Sequence, residues 1–306
     1  MFHAPRLPST LRADVLVDPP GSARMWLPKA SLSQCIKCAM VRDTRLLPGG
    51  LQQGPTHLPA SPCCTLSWFL HGTVRGDARH TLTSPIVFTG PQQQASAFEY
   101  QGPVHGFMLL FLPDAFMALT GVDLAPFFNR SVPVDELAQA APWLVSMCAA
   151  VAQAPTDDAR VALIEAALDE RWQAARPASL MGALAGHLFD DWAQTLGTRA
   201  ATSGLGRSLR QVERRIKSWT GQPLRELKGV GRSERAFFDA VMAQEHGALN
   251  WAEVADEAGF SDQSHLCRQT RRITGFSPEE LRRRISSDEG FWAYRLWGFS
   301  EARPSR

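Results

Sequence analysis

Long apolar stretches are missing from this sequence: no window approaches eighteen uninterrupted apolar residues, so no membrane-spanning helix is expected. The first residues carry no basic segment leading into an apolar run, which argues against a secretory signal and for a cytoplasmic protein. Cysteine is scarce and irregularly spaced (Cys35, Cys38, Cys63, Cys64, Cys148, Cys267), which excludes a disulfide framework as the basis of the fold. A lone Cys35-x-x-Cys38 and the adjacent Cys63-Cys64 are weak signals for redox or thiophilic-metal sensing, and incidental buried cysteines explain them better. Histidines His57, His71, His80 and His105 are never paired at a spacing that one strand or helix would present together, so no metal site is read from them. Acids are absent from Gln263 to Pro278, while Arg268, Arg271 and Arg272 fall within that stretch. Surface helices ordinarily mix signs for solubility and i,i+4 pairing, so this face is expected to meet something negative.

What is present bounds the architecture. The chain has 306 residues with 44% apolar content, enough for a substantial core and more than one average domain needs. Residues 204–284 hold 15 Lys/Arg against 11 Asp/Glu, whereas residues 1–203 hold 14 against 16, so the basic surplus lies late in the chain. A polyanion is the partner such a surplus suits. The first fifty or so residues are rich in Pro and Gly and give weak signals. Runs at 64–72, 80–91, 95–102 and 104–113, bounded by Gly and Pro, predict strands. Helical periodicity then takes over at 135–153, 157–175 and 179–196; Val161, Ile164, Leu168 and Trp172 share one face of the second of these.

The fold expected is α+β: a β-rich, barrel- or sandwich-like sensor unit over 1–134, a helical connector over 135–177 suited to dimerisation, and an all-α unit over 178–306. Within that last unit, an offset of 54 residues sets SLRQVERRIKSWTG (208–221) on DQSHLCRQTRRITG (262–275). Val212, Ile216 and Trp219 then match Leu266, Thr270 and Ile273 on the buried side, and Arg210, Arg214 and Lys217 match Ser264, Arg268 and Arg271 on the other. Each segment opens on an N-cap residue, Ser208 or Asp262, and closes on Thr-Gly. Upstream, Ala200 precedes Gly204 and Ala255 precedes Gly259 by four residues, the small residue permitting a close helix crossing and the glycine a tight turn. One structural unit used twice is implied, and the unit is helix-turn-helix, which lays its second helix in the major groove of duplex DNA. Gln263, Ser264, Cys267, Arg268 and Arg271 in one helix, with Arg210, Arg214 and Lys217 in the other, are the predicted double-stranded DNA contacts.

At this point the residues carry a resemblance. AEVADEAGFSDQSHLCRQTRRITGFSPEELRRR (252–284) resembles the second helix-turn-helix of the AraC/XylS transcription regulators, and RSLRQVERRIKSWTGQPLREL (207–227) is similar to the first. PASPCCTLSWFLHG (59–72) and the GP-x-H-x-F-x-L-x-F-x-P string at 102–113 look like N-terminal domains attached to such regulators. The resemblance implies transcription regulation, a small-molecule effector at the N-terminal domain, contact with RNA polymerase, a homodimer through the connector, and two subdomains joined by a long helix over 224–243. Gly229 and Gly231 argue against that helix being straight and uninterrupted. Thr270 replaces a large apolar residue usual in the family, often Phe, and predicts looser packing of the second unit; GLGRS (204–208) reads as one residue longer than GFSD (259–262).

Trp68, Tyr100 and Phe107 are the candidates for an effector pocket, with Phe69 and Phe111 beside them, although core packing explains aromatics at strand spacing equally well. The aromatic tail DEGFWAYRLWGFS (288–300) is too apolar for a disordered extension and is expected to dock on this protein or on a partner chain. Two rival readings remain: a metal- or ligand-binding β-barrel enzyme, and a regulator acting through protein contacts with a degenerate DNA face. No nucleophile, base and oxyanion-type constellation can be assembled, so no catalysis and no cofactor are expected.

Overall fold

A computed structural model of the chain describes residues 22–47, 54–76, 84–177, 188–203, 208–245, 247 and 249–299. Its N-terminal part is an antiparallel sheet of seven strands: β1 (Ala23–Trp26), β2 (Ile36–Asp43), β3 (Thr56–Leu58), β4 (Cys64–Arg75), β5 (Ile86–Thr89), β6 (Ser96–Phe111) and β7 (Ser131–Pro133). The order is β1-β2-β6-β4-β5-β7, with β3 paired to β6. The two strands expected at 95–102 and 104–113 are one strand of 16 residues. What reads as a break, Gly102-Pro103, is a bend inside it: Gly102 has φ +82°, and a side chain at facing Gly72 would lie 2.3 Å from the Pro103 carbonyl oxygen. Only glycine fits that approach.

Alternation along the strands gives the sheet two faces. Leu66 and Trp68 of β4, with Phe107, Leu109 and Phe111 of β6, are at most 1% exposed and turn toward helices α1 (Pro113–Thr120), α2 (Pro142–Gln153) and α3 (Asp157–Ala175). The helix expected at 135–153 starts late because Pro142, which has no N–H to give, occupies its first turn; a short 3₁₀ turn, Val134–Leu137, precedes it. On α3, Ile164, Leu168 and Trp172 are buried on the face read from the sequence.

The remaining helices are α4 (Phe189–Thr202), α5 (Leu209–Thr220), α6 (Leu224–Glu245), α7 (Trp251–Glu257), α8 (Gln263–Thr274), α9 (Pro278–Ser287) and α10 (Trp292–Phe299). Residues 179–187 of the expected helix at 179–196 lie outside the described residues, as does the turn at 204–207. One hydrophobic core runs from Leu32 through Trp192, Leu196 and Ile216 to Leu227, across the expected boundary at 177/178.

α6 is unbroken over 22 residues, contrary to the expectation drawn from its glycines. Their purpose is proximity. A Cβ at Gly231 would lie 2.8 Å from the backbone N and Cα of Asp190 in α4, and one at Gly229 would lie 2.8 Å from Gln269 Nε2 in α8. Two helices cross α6 where it has no side chain, and the burial gained there offsets the helix-propensity cost of about 1 kcal/mol per glycine.

The aromatic tail docks on its own chain. Trp292 Nε1 donates to Thr56 Oγ1 at 3.4 Å, Phe291 stacks on His57 with ring centroids 4.8 Å apart, and Gly290 lies against the Pro55 carbonyl. Arg42 of β2 is ion-paired with Glu289 beneath it. Phe291 and Trp292 are at most 1% exposed, which accounts for the aromatic density of a segment that follows the last helix-turn-helix helix.

Candidate nucleic-acid interface

The 54-residue repeat reappears as repeated geometry. Ser208 caps α5 by accepting from the Gln211 amide while Gln211 Oε1 accepts from the Ser208 amide, a capping box. Asp262 caps α8 by accepting from the His265 amide at 2.7 Å. That amide, with the Ser261 hydroxyl and the Arg268 charge behind it, holds the Asp262 carboxyl below the usual carboxylate range. At the other ends, Gly221 (φ +74°) and Gly275 (φ +86°) take the left-handed conformation. Thr220 and Thr274 donate their hydroxyls to the carbonyls of Ile216 and Thr270, each at 2.8 Å, and accept from the amides of Gln222 and Phe276. Gly259 (φ +75°) makes the turn between α7 and α8, and Ala255 and Ala200, both at most 1% exposed, are the small residues on the preceding helices.

The outward faces follow from this register. Arg210, Arg214 and Lys217 on α5 are exposed, as are Gln263, Ser264, Arg268 and Arg271 on α8, with Cys267 half-buried between them. Among the described residues, none of these five cations has a salt bridge or a side-chain hydrogen bond. Neighbouring arginines behave differently. Arg272 is ion-paired with Glu226 at the start of α6 and donates to Gln269; Arg215 donates to the Ala200 carbonyl at 2.8 Å; Arg199 pairs with Asp114 at 2.7 Å. Internal partners hold the arginines on the flanks and leave the outward row free. The Arg272–Glu226 pair also braces the second unit against the helix that leaves the first.

The aromatic pocket candidates stand elsewhere. Trp68 and Phe107 are fully buried on the sheet face that packs on α2, where Trp68 Nε1 donates to the Cys148 carbonyl at 2.9 Å and the two rings meet edge-on at 5.7 Å. Tyr100 lies under the tail beside Thr56 and Trp292, where burial pushes its phenol above the ordinary value. A cavity of about 290 Å³ lies on the opposite face and is lined by none of the three. It is bounded by Cys38 and Met40 of β2, Thr65 and Ser67 of β4 and Met108 and Leu110 of β6 on one side, and by α6, α8, α9 and α10 on the other. Within the strands these lining residues alternate with the core residues: large aromatics fill the sealed face, and the wall of the void carries Thr, Ser and Met.

Among the described residues no group of three or more His, Cys, Asp or Glu side chains is placed to hold a metal ion. His57 packs between Phe276 and Phe291, and His105 lies between Arg45 and Asp157; His80 is outside the described residues. All six cysteines are free, and burial pushes the Cys63 thiol up to about 12, which leaves it unreactive.

Comparison with known proteins agrees with this geometry. Residues 243–283 match the model of bacterial regulatory helix-turn-helix proteins, AraC family, and residues 24–133 match a domain of unknown function (DUF6597). The chain therefore carries an AraC-type helix-turn-helix domain behind an antiparallel β-rich domain. Among solved structures, ToxT from Vibrio cholerae O395 is similar at 11% identity, covering 77% of this chain and 95% of that one, with a TM-score of 0.35. Wild-type ToxT from Vibrio cholerae strain SCE256 with bound unsaturated fatty acid is similar at 10% identity (89% and 98% covered, TM-score 0.36). The AraC-like transcriptional activator CuxR is similar at 15% identity (85% and 78% covered, TM-score 0.24). The curated proteins give no match. No helix among the described residues is long and apolar enough to cross a membrane.

Proposed function

We propose that this regulator binds a specific duplex sequence through α5 and α8 in successive major grooves and that a small molecule in the cavity between sheet and helices modulates the binding. The observation that carries the reading is the row of five exposed cations, Arg210, Arg214, Lys217, Arg268 and Arg271, without a salt bridge or side-chain hydrogen bond among the described residues, set on two helices of matching register. Gln263 and Ser264 at the N-terminal end of α8, with Cys267 one turn on, are its base-edge candidates. α6 supports the spacing: at about 1.5 Å per residue its 22 residues span about 33 Å, close to the roughly 34 Å of one DNA turn. The cavity enters because its walls come from both halves of the chain, so occupancy bears on how they sit together. RNA polymerase contact and a homodimer through α2 and α3 belong to the same proposal.

The test is selection of bound sequences from random duplexes followed by titration of affinity against salt. If all five cations meet phosphate, log K falls with log salt at a slope of about −4 to −5. A folded protein whose DNA binding is absent or insensitive to salt would mean that the outward face is degenerate.

A further inference from the structure

The interface cavity is neutral by construction. Three charged side chains line it among the described residues: Lys37, Glu234 and Arg282. Lys37 Nζ lies 2.9 Å from Glu234 Oε1, and both side chains are 6% exposed. The same ammonium sits over the rings of Phe189 and Trp297, 3.9 and 4.7 Å from their centroids. The other Glu234 oxygen accepts from the Phe189 amide. Arg282 gives Nε and Nη2 to Glu279. Each charge on the wall is therefore cancelled inside the protein. An entering anion would be a surplus buried charge, or would have to evict Glu234 and leave that carboxylate unpaired.

Two polar atoms on the wall are left over. Tyr294 is buried and its hydroxyl has no partner, and Gln92 turns Nε2 to the Gly90 carbonyl at 2.8 Å while its Oε1 has none. A buried hydroxyl and a buried carbonyl without partners are uncommon in native structures and call for an occupant. The remaining wall is apolar and adaptable, with Met40 and Met108 from the sheet facing Phe237, Leu266 and Ile273. Thr270 of α8 borders the space with a small side chain.

We infer that the cavity takes a neutral, largely apolar molecule of medium chain length bearing one hydroxyl, which gives its proton to Gln92 Oε1 or exchanges a hydrogen bond with Tyr294, and that it rejects the corresponding carboxylate. This rests on the reading of the cavity as the effector site.

The full chain is titrated with 1-decanol and, separately, with decanoate at pH 8, and binding is read by calorimetry and by the unfolding temperature. Decanol is expected to bind saturably and decanoate at least about ten-fold more weakly. Tyr294→Phe should weaken decanol by up to about ten-fold, the worth of one hydrogen bond. Thr270→Phe should fill the void and abolish the decanol response with the circular dichroism spectrum retained; Ser67→Leu fills it from the sheet side should the first variant fail to fold. Decanoate binding equal to or tighter than decanol, removed by either filled variant, overturns the neutral class but leaves the cavity as the effector site. Decanol binding undiminished in a folded filled variant overturns the cavity as well, and binding of neither probe overturns the inference. DNA affinity of the same preparations reports on the regulator reading independently.

Discussion

Replacing Asp114 with alanine is the most demanding test of how the halves are held together. Asp114 sits in the first turn of α1 and is 4% exposed. One carboxylate oxygen accepts from Arg199 Nη1 at 2.7 Å and the other from Trp192 Nε1 at 2.9 Å, both donors on α4. Arg199 is itself 7% exposed and lies 4.4 Å from the Trp219 ring centroid on α5. Without the carboxylate, a guanidinium out of water keeps the aromatic contact and loses its counter-charge. Breaking a buried pair from one side costs about 3–5 kcal/mol, and the abandoned indole N–H is part of that figure. Asp114→Asn should cost less, because one acceptor remains. The double replacement Asp114→Leu with Arg199→Met should recover most of the loss, since no unpaired charge is left behind. Urea unfolding followed in parallel by tryptophan fluorescence and circular dichroism gives the number, provided the two transitions coincide. A loss below about 1 kcal/mol for Asp114→Ala, the range of exposed pairs, or a double variant less stable than the single one, would refute this account of the junction.

Arg268→Ala and Arg214→Ala should each cost about 1–3 kcal/mol of binding and relax one base position if the contact is to a base, or shrink the salt slope by about one if it is to phosphate. Arg272→Ala should leave binding nearly intact, because Glu226 already holds that side chain; abolition of binding by Arg272→Ala with Arg268→Ala unaffected would reverse the DNA-facing side. Gly231→Ala should destabilise by about 1–3 kcal/mol despite the better helix former, because the clash is with the Asp190 backbone, whereas Gly229→Ala meets the movable end of Gln269 and should be near neutral; equal unfolding midpoints for the two would contradict the crossing. Trp292→Ala should cost about 3–5 kcal/mol, measured in the full chain, because the tail closes the surface over Thr56 and His57. Burial raises the Asp157 carboxyl, but the His105 hydrogen bond and the charges of His105, Arg160 and Arg24 together hold it below its ordinary 3.8. Its contribution to stability is therefore present above that value and lost as pH falls through the lower folded value, so Asp157→Asn should flatten the acid limb of a stability–pH curve.

The recognition helices were legible because every signal for them is local. An N-cap, a 3.6-residue stripe and a left-handed glycine act within one helix, and Ser208–Gly221 and Asp262–Gly275 carry all three. Tertiary contact hid other features. β1 and β2 lie among the Pro- and Gly-rich residues with weak signals; β2 is a strand because the second half of β6 offers it an edge, β1 because β2 does, and β3 pairs with the first half of β6. Gly102-Pro103 has the composition of a turn and is a bend in a single strand because Gly72 opposite it makes room. Gly229 and Gly231 read as weak points of the linker helix and are its crossing points, a distinction that requires knowing where α4 and α8 pass.

Alternation explains why the cavity is not legible in the strands. Strand periodicity says that Trp68 and Phe107 share a face, and that Ser67 and Met108 share the other, but does not say which face is sealed. Aromatic bulk suggested a pocket, since ligand sites are rich in such rings. Here the bulk fills the space against α1 and α2, and the opposite face carries Cys38, Met40, Thr65 and Ser67, residues that read as an unremarkable polar-and-mixed surface. That surface is buried because α6, α8, α9 and α10 lie over it. One side of α8 thus bears the cations of the outward row, and the other bears Leu266, Thr270 and Ile273 on the cavity wall. Ile273 also accepts, through its carbonyl, the amide of Ala60 from the sheet domain at 2.8 Å. If the cavity holds the effector and the outward row meets DNA, as proposed, both ligands touch α8 on opposite sides, and the factor by which the effector changes DNA affinity equals the factor by which DNA changes effector affinity.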